Sequence, residues 1–148
     1  AEDGIRDKLV TGVQTCALPI LRMTVKSLLW IALGGGLGSV ARFIGYKLTT
    51  PTSPADFPWG TLWVNLLGCL LIGIFSQLSS RSHTYPGELW LFLMTGLCGG
   101  FTTFSAFSLE SLSLLQQQRY LAVLTYLTVS VLGGISCTLA GYWISRSL

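Results

Sequence analysis

The middle of the chain reads Gly96-Leu97-Cys98-Gly99-Gly100-Phe101-Thr102-Thr103-Phe104-Ser105-Ala106-Phe107. This stretch lies inside residues 89–109, a charge-free run of 21 residues that is long enough to cross a bilayer as an α-helix. Its centre is unfavourable for a helix, because consecutive glycines have high backbone entropy and the threonines after them are β-branched. We therefore expect the span to be broken near its middle. Backbone groups freed at that depth are tolerated only where they face protein or a polar cavity, so a break would mark a site.

Two phenylalanines follow the expected break. Phe104 and Phe107 are three residues apart, so they share one face of a helix. Together with the neighbouring hydroxyl groups they are consistent with an element that lets a small solute cross the membrane. The same pattern is also consistent with a glycine-rich packing surface that carries two lipid-facing rings, and periodicity alone leaves both interpretations open.

The composition is that of an integral membrane protein. Of 148 residues, 51% are hydrophobic and only 10% are charged, and the mean hydropathy is +0.62. The basic residues are scattered, which argues against a nucleic-acid partner. The chain has no nucleophile–base set, metal-ligand spacing or cofactor loop, so we do not expect an enzyme. Cys69, Cys98 and Cys137 lie in separate apolar runs and are interpreted as small buried apolar residues.

The apolar runs predict an all-α fold with four transmembrane helices in one membrane domain, residues 23–148. The expected spans are residues 26–48, 58–78, 87–115 and 120–145. Residues 1–22 begin with a charged segment and have no clear periodicity. We expect them to be a non-native extension without a function, and the natural start to be Met23.

Three polar side chains lie within or beside these spans. Asn65 is out of place in lipid and should face protein, water or a substrate, although an interhelical hydrogen bond would also explain it. Arg42 must either extend its charged group to the interface or find a partner. Glu110 is either an interface carboxylate or part of a polar path.

The Gly34-xxx-Gly38 spacing and the recurrence of Gly133, Cys137 and Gly141 predict close helix packing.

Basic residues are balanced between the two sides of the predicted bundle. Lys26, Arg81 and Arg146 fall on one side, and Arg42, Lys47 and Arg119 fall on the other. The positive-inside rule therefore selects no orientation for residues 23–148. A chain that inserts both ways could form an antiparallel dual-topology dimer, which would resemble an inverted-repeat transporter with sites near the midplane.

Three motifs resemble those of the Fluc (CrcB) fluoride channels. The first is Gly34-Gly35-Gly36-Leu37-Gly38-Ser39-Val40-Ala41-Arg42-Phe43, and the second is Gly60-Thr61-Leu62-Trp63-Val64-Asn65-Leu66-Leu67-Gly68. The third runs from Gly96 to Glu110. Their order, their spacing and the number of spans agree with that family over essentially residues 23–148. The family commonly has threonine where this chain has Ala106, so one hydroxyl of its polar track is in question.

The resemblance implies a fluoride-selective passive channel in the plasma or inner membrane of a bacterium, which lowers cytoplasmic fluoride. It implies an antiparallel homodimer with two pores and a structural Na⁺ at its centre, bound by the backbone carbonyls of Gly99 and Thr102. Pairing with a paralogous chain instead of a second copy stays open. The residues that the resemblance assigns to the fluoride pathway are Arg42, Asn65, Thr103, Phe104, Ser105, Phe107, Glu110 and Ser130, with Thr138 as a further hydroxyl candidate.

Two other functions compete with the channel. A dual-topology, proton-coupled exporter of the small multidrug type would also have four spans and balanced charge. Such an exporter needs a membrane-embedded acid, and the nearest acids here, Glu88 and Glu110, only bound the third charge-free run. A non-transporting assembly subunit would explain the glycines but would leave Asn65 and the two phenylalanines without a purpose.

Overall fold

The structure, a computed structural model, describes residues 24–49, 57–81 and 87–147, and these residues are almost entirely helical. Helix α1 spans Val25–Thr49, and helix α2 spans Trp59–Arg81. Helix α4 spans Phe104–Gln116, and helix α5 spans Tyr120–Ser147. The expected extension at residues 1–22 and most of both predicted loops around α2 lie outside the described residues.

Helix α3 lies between α2 and α4 and is continuous from residue 87 to residue 101. It begins with an α-helical turn, Gly87–Trp90, continues as a π-helix, Leu91–Cys98, and ends with the turn Gly99–Phe101. Thr102 and Thr103 then separate α3 from α4 and have extended backbone, with ψ angles of 156° and 115°. The paired glycines thus remain helical, and the residues with non-helical backbone are the threonines that follow them.

Among the described residues, four segments are long and apolar enough to cross a membrane: Val25–Thr49, Trp59–Arg81, Gly87–Gln116 and Tyr120–Ser147. Each agrees with a span predicted from the charge-free runs to within a few residues. The turn between α4 and α5 falls at the predicted place, and there Gln118 has a positive φ of 58°. For the described residues, the prediction of an all-helical fold with four helices suited to crossing a membrane is therefore confirmed.

Helix α1 packs against α3 through glycines on both helices. Gly34 and Gly38 are buried, and a Cβ on Gly38 would meet the Leu97 carbonyl and come within 2.9 Å of the Phe101 nitrogen. On α3, a Cβ on Gly96 would lie 2.9 Å from the Gly34 Cα. Small residues at this spacing let helix backbones touch. The packing role predicted for the Gly34-xxx-Gly38 pair is confirmed.

Helix α2 makes its most extensive contact with α5, again through glycines. A Cβ on Gly73 would meet the Thr138 carbonyl, and a Cβ on Gly141 would meet the Leu70 carbonyl. The ends of the helices carry polar links. Lys26 Nζ lies 3.2 Å from Glu88 Oε1 where α1 and α3 begin, and an Arg81 N–H donates to the Arg146 carbonyl where α2 and α5 end. Helices α1 and α3 are therefore parallel, as are α2 and α5.

We expect Gly38→Ala to destabilise the protein by about 1–3 kcal/mol, the usual cost of overpacking a tight contact. The added methyl group would press on α3 backbone atoms, which cannot rotate away as a side chain would. The measurement is the melting temperature of the purified protein in detergent. Gly36→Ala is the matched control, because Gly36 is exposed and nothing lies within 4 Å of its Cβ position. Alanine there should be neutral or stabilising by up to about 1 kcal/mol through helix propensity. Equal melting temperatures for the two variants would contradict the packing account.

Candidate functional site

Asn65 of α2 is bound to the backbone of Thr103, between α3 and α4. The Thr103 N–H donates to Asn65 Oδ1 at 2.8 Å, and Asn65 Nδ2 donates to the Thr103 carbonyl at 3.1 Å. The side chain thus substitutes for the helical hydrogen bonds that Thr103 lacks. An amide nitrogen has two hydrogens, and this pairing uses one of them. The interhelical hydrogen bond and a role toward a solute are therefore compatible in the same side chain.

Thr103 also begins helix α4. Its Oγ1 accepts a hydrogen bond from the Ala106 N–H at 3.2 Å, the usual arrangement of an N-terminal cap. The Ser105 hydroxyl lies 3.1 Å from the same oxygen. The Ser105 side chain is exposed and lines neither of the two cavities described below. Of these two predicted pathway residues, Thr103 therefore lies within the site, whereas Ser105 lies outside both cavities and contacts the Thr103 hydroxyl.

Because of these contacts, two backbone carbonyls lose the N–H donors that they would have in a continuous helix. In a continuous α-helix the carbonyl of Gly99 would accept from the N–H of Thr103, and the carbonyl of Thr102 from the N–H of Ala106. Here the first N–H donates to Asn65 and the second to Thr103 Oγ1. The Thr102 N–H and hydroxyl both donate to the Cys98 carbonyl at 3.0 Å. The carbonyls of Gly99 and Thr102 are therefore available for another partner.

A cavity of about 400 Å³ opens beside this junction. Its lining includes five residues predicted for the pathway: Asn65, Thr103, Phe104, Phe107 and Ser130. The rings of Phe104 and Phe107 lie 5.5 Å apart at an angle of 43°, and Phe104 is 79% exposed. The Ser130 hydroxyl is buried and has no hydrogen-bond partner among the described residues. We call this space the first cavity. It combines an amide, hydroxyl groups and two aromatic rings at mid-length of the helices.

The other predicted hydroxyl of α5 does not reach this cavity. The Thr138 hydroxyl donates to the Gly134 carbonyl of its own helix at 3.0 Å, and Thr138 lines neither cavity. A threonine that bonds the preceding turn has used its only proton. Ser130 is therefore the α5 hydroxyl that the fold directs toward the site.

A second cavity of about 590 Å³ contains the remaining two predicted pathway residues, Arg42 and Glu110. Thr61 and Tyr46 also line it, and Thr103 lines both cavities. Arg42 is half-buried. The pathway residues therefore fall into two groups that meet at Thr103.

Glu110 is held by two hydroxyl groups that the sequence did not single out. The Thr61 hydroxyl donates to Glu110 Oε1 and the Tyr126 hydroxyl donates to Oε2, each at 2.7 Å. Tyr126 is completely buried and its ring lies 5.1 Å from that of Phe107. The sequence did contain a signal for the contact between Glu110 and Tyr126. Both residues are the same number of positions away from Gln118, which lies in the α4–α5 turn. In an antiparallel helix pair such positions lie at the same level.

Comparison with known proteins relates the chain to one family. A family model described as "CrcB-like protein, Camphor Resistance (CrcB)" matches residues 29–142. A fluoride-specific ion channel FluC of Phocaeicola vulgatus is 50% identical over 122 residues, which are 82% of this chain and 100% of that protein. The protein of the same name from Flavobacterium psychrophilum is 42% identical, over 84% of this chain and 100% of its own length. The one from Rhizobium etli is 46% identical, over 81% and 96%.

Proposed function

This chain belongs to the CrcB-like family, and we propose that it forms a passive, fluoride-selective ion channel in a cell membrane. Its relatives are named fluoride-specific ion channels and match it over nearly their full length. They are channels, not enzymes, in agreement with the expectation that this chain has no catalytic activity. The observation that carries the proposal is the first cavity, where Asn65, Phe104, Phe107 and Ser130 meet.

Fluoride is small and strongly hydrated, so a selective path must replace the water molecules that it loses. The second N–H of Asn65 and the unpaired hydroxyl of Ser130 are donors for this purpose. The positive edge of an aromatic ring faces an anion favourably, so Phe104 and Phe107 contribute their ring edges. Two rings 5.5 Å apart also narrow the path against larger halides. In the second cavity, the cationic Arg42 would concentrate anions before they reach Thr103.

We propose that the third membrane crossing is broken at Thr102 and Thr103, and that the break serves a structural Na⁺. The residues fit this ion. Sodium is a hard cation that prefers oxygen ligands, and the carbonyls of Gly99 and Thr102 have lost their usual N–H partners to Asn65 and Thr103. Gly99 is exposed, with open space where a side chain would be, so another chain could approach it. When bound, the ion would supply positive charge to carbonyls that have lost their helical N–H partners.

The proposed assembly is an antiparallel homodimer with two pores. Two observations support it. A single chain leaves the Phe104 ring 79% exposed beside a cavity that is open to the surroundings, so a second chain is needed to enclose a path. The balanced basic residues of the two sides favour insertion in both orientations. A test is to attach a fluorescent tag to one terminus and to measure its accessibility from each side of the membrane. Accessibility from one side only would exclude a dual-topology homodimer.

The proposed role is the export of cytoplasmic fluoride across the bacterial inner membrane. A passive channel needs no energy source beyond the membrane potential. A negative interior drives an anion outward by about 2.3 kcal/mol per 100 mV. The proton-coupled exporter is not favoured, because the relatives are named as channels and because Glu110 is hydrogen-bonded to Thr61 and Tyr126 at the edge of the charge-free run.

The proposal is tested by anion efflux from liposomes that contain the purified protein and are loaded with fluoride or chloride. We expect rapid release of fluoride and negligible release of chloride. Release of neither anion by folded, dimeric protein would refute the channel. Equal release of both would retain a pore but refute its selectivity.

The sodium site gives a separate prediction. If the folded dimer binds Na⁺ and the unfolded chain does not, saturation at about 100 times Kd should stabilise the protein by about 2.7 kcal/mol. We expect the melting temperature to fall when Na⁺ is replaced by N-methylglucamine at constant ionic strength. K⁺ serves as a control for a small monovalent cation of larger radius. Identical melting temperatures in all three salts would argue against the site.

A further inference from the structure

Three residues with sulfur in their side chains line the first cavity. These residues are Cys69 of α2 and Met94 and Cys98 of α3. Cys69 and Met94 are half-buried, and Cys98 is 3% exposed. The fold thus places two thiol residues, which the sequence indicated only as small buried apolar residues, and one thioether residue in the lining of one space.

Sulfur ligands prefer soft cations, whereas the oxygen and nitrogen groups that line the rest of the cavity do not. Thiolate and thioether groups are soft ligands that select monovalent soft cations such as Cu⁺ and Ag⁺, whereas carbonyl oxygens select hard cations. We propose that Cys69, Met94 and Cys98 form a binding site for a soft monovalent cation, and that its occupation blocks anion passage. The blocking effect rests on the proposed channel function, but the binding itself does not.

The block follows from the charge and the position of the bound ion. A thiol binds Ag⁺ as a thiolate and releases its proton to the solvent, so no electron is transferred. Two thiolates around one Ag⁺ carry one net negative charge where two neutral thiols were before. That charge would lie in the same cavity as Asn65 and Phe104 and would repel an anion strongly at low dielectric constant. The ion would also occupy space that the cavity offers to a solute.

The chain offers a matched test, because its other two cysteines are Cys16 and Cys137. Cys137 does not line the first cavity, and Cys16 lies outside the described residues. The reference protein carries Cys16→Ser and Cys137→Ser, so that its only thiols are those of the cavity. The test protein carries Cys69→Ser and Cys98→Ala in addition. A third protein carries Met94→Leu in the reference background, which preserves the apolar volume and removes only the thioether.

Each protein is reconstituted in chloride-free nitrate buffer, and fluoride efflux is measured before and after addition of micromolar Ag⁺. Bound silver is measured by mass spectrometry after desalting. We expect one Ag⁺ per chain in the reference protein, a fall in its efflux by about tenfold or more, and recovery after excess dithiothreitol. The test protein should bind none, and its efflux after silver addition should equal its own efflux before addition. Met94→Leu should require more silver for the same block.

Three outcomes would overturn the site: no silver retained by the reference protein, efflux of that protein unaffected by bound silver, or equal block of the test protein. Failure of the channel proposal looks different. In that case folded reference protein would release no fluoride before silver is added, while the binding stoichiometry would still report on the sulfur site. If the test protein does not fold, the Met94→Leu variant still tests the proposed site. If this variant is blocked at the same silver concentration as the reference protein, Met94 is not a ligand and the three-residue site is refuted.

Discussion

Asn65→Ala is expected to lower fluoride efflux by about 10- to 100-fold, because a hydrogen bond to a charged group contributes about 1.5–3 kcal/mol. Two effects act in the same direction. The variant loses the second N–H of Asn65, which would donate to the anion. It also releases the Thr103 N–H and carbonyl from the contacts that hold them at 2.8 and 3.1 Å. The measurement is initial fluoride efflux per reconstituted protein.

The two effects of this substitution are separable by comparing efflux with stability. Loss of the contacts to Thr103 should lower the melting temperature, since partly buried backbone groups would lack partners at a cost of about 1–3 kcal/mol. Gln77→Ala is the matched control, because Gln77 is a buried amide on the same helix that lines neither cavity. We expect the control to lose stability without losing efflux from the protein that remains folded. If Asn65→Ala conducts like the wild type, Asn65 is a packing residue only.

The helices were predictable because their limits are set by local chemistry. Long apolar runs can only cross the membrane as helices, because a helix satisfies its own backbone hydrogen bonds. The expected span 120–145 and the observed helix Tyr120–Ser147 differ by two residues at one end. Close packing of α1 along Gly34 and Gly38 was also predictable, because their four-residue spacing is a property of a single helix, although the spacing did not identify α3 as the partner. Such features need no knowledge of the neighbouring helix.

The contacts inside the site were not predictable to the same degree. Whether Asn65 would meet a backbone or a solute depends on which residue of α3 or α4 lies beside it, and composition does not contain that information. The contact between Thr61 and Glu110 is a similar case, since these residues lie on helices that are not consecutive in the chain.

The π-helix Leu91–Cys98 also has no local signature. Its sequence is as apolar as that of any other span, so the wider helical turn must follow from tertiary packing. The paired glycines are a related case. They remain helical because Gly100 lies directly against Gly35 of α1. The deviation from helix falls on Thr102 and Thr103, where Asn65 and the Thr103 hydroxyl take over the backbone N–H groups.

The second large effect is expected at the phenylalanine pair. Phe104→Ile and Phe107→Ile should each lower fluoride efflux by about tenfold, because isoleucine keeps much of the apolar volume but has no positive ring edge, a loss of up to about 1.5 kcal/mol. The measurement is again efflux from liposomes, together with the elution volume of the purified protein to verify its assembly. Phe92→Ile is the matched control, since its ring packs on Trp30 with centroids 5.9 Å apart and lines neither cavity.

Phe104 and Phe107 differ in how much of each ring packs against the rest of the chain, so the two variants are expected to differ in stability. Phe107 is half-buried and packs on Tyr126, so its loss also removes contacts from the small core around Tyr126. Phe104 is 79% exposed and has little to lose in stability within one chain. A fall in efflux for Phe104→Ile, with unchanged melting temperature and elution, would therefore be an effect on the path itself. Unchanged efflux in both variants, with Phe92→Ile also unchanged, would remove the aromatic edges from the mechanism and leave Asn65 and Ser130 as the residues that contact the anion.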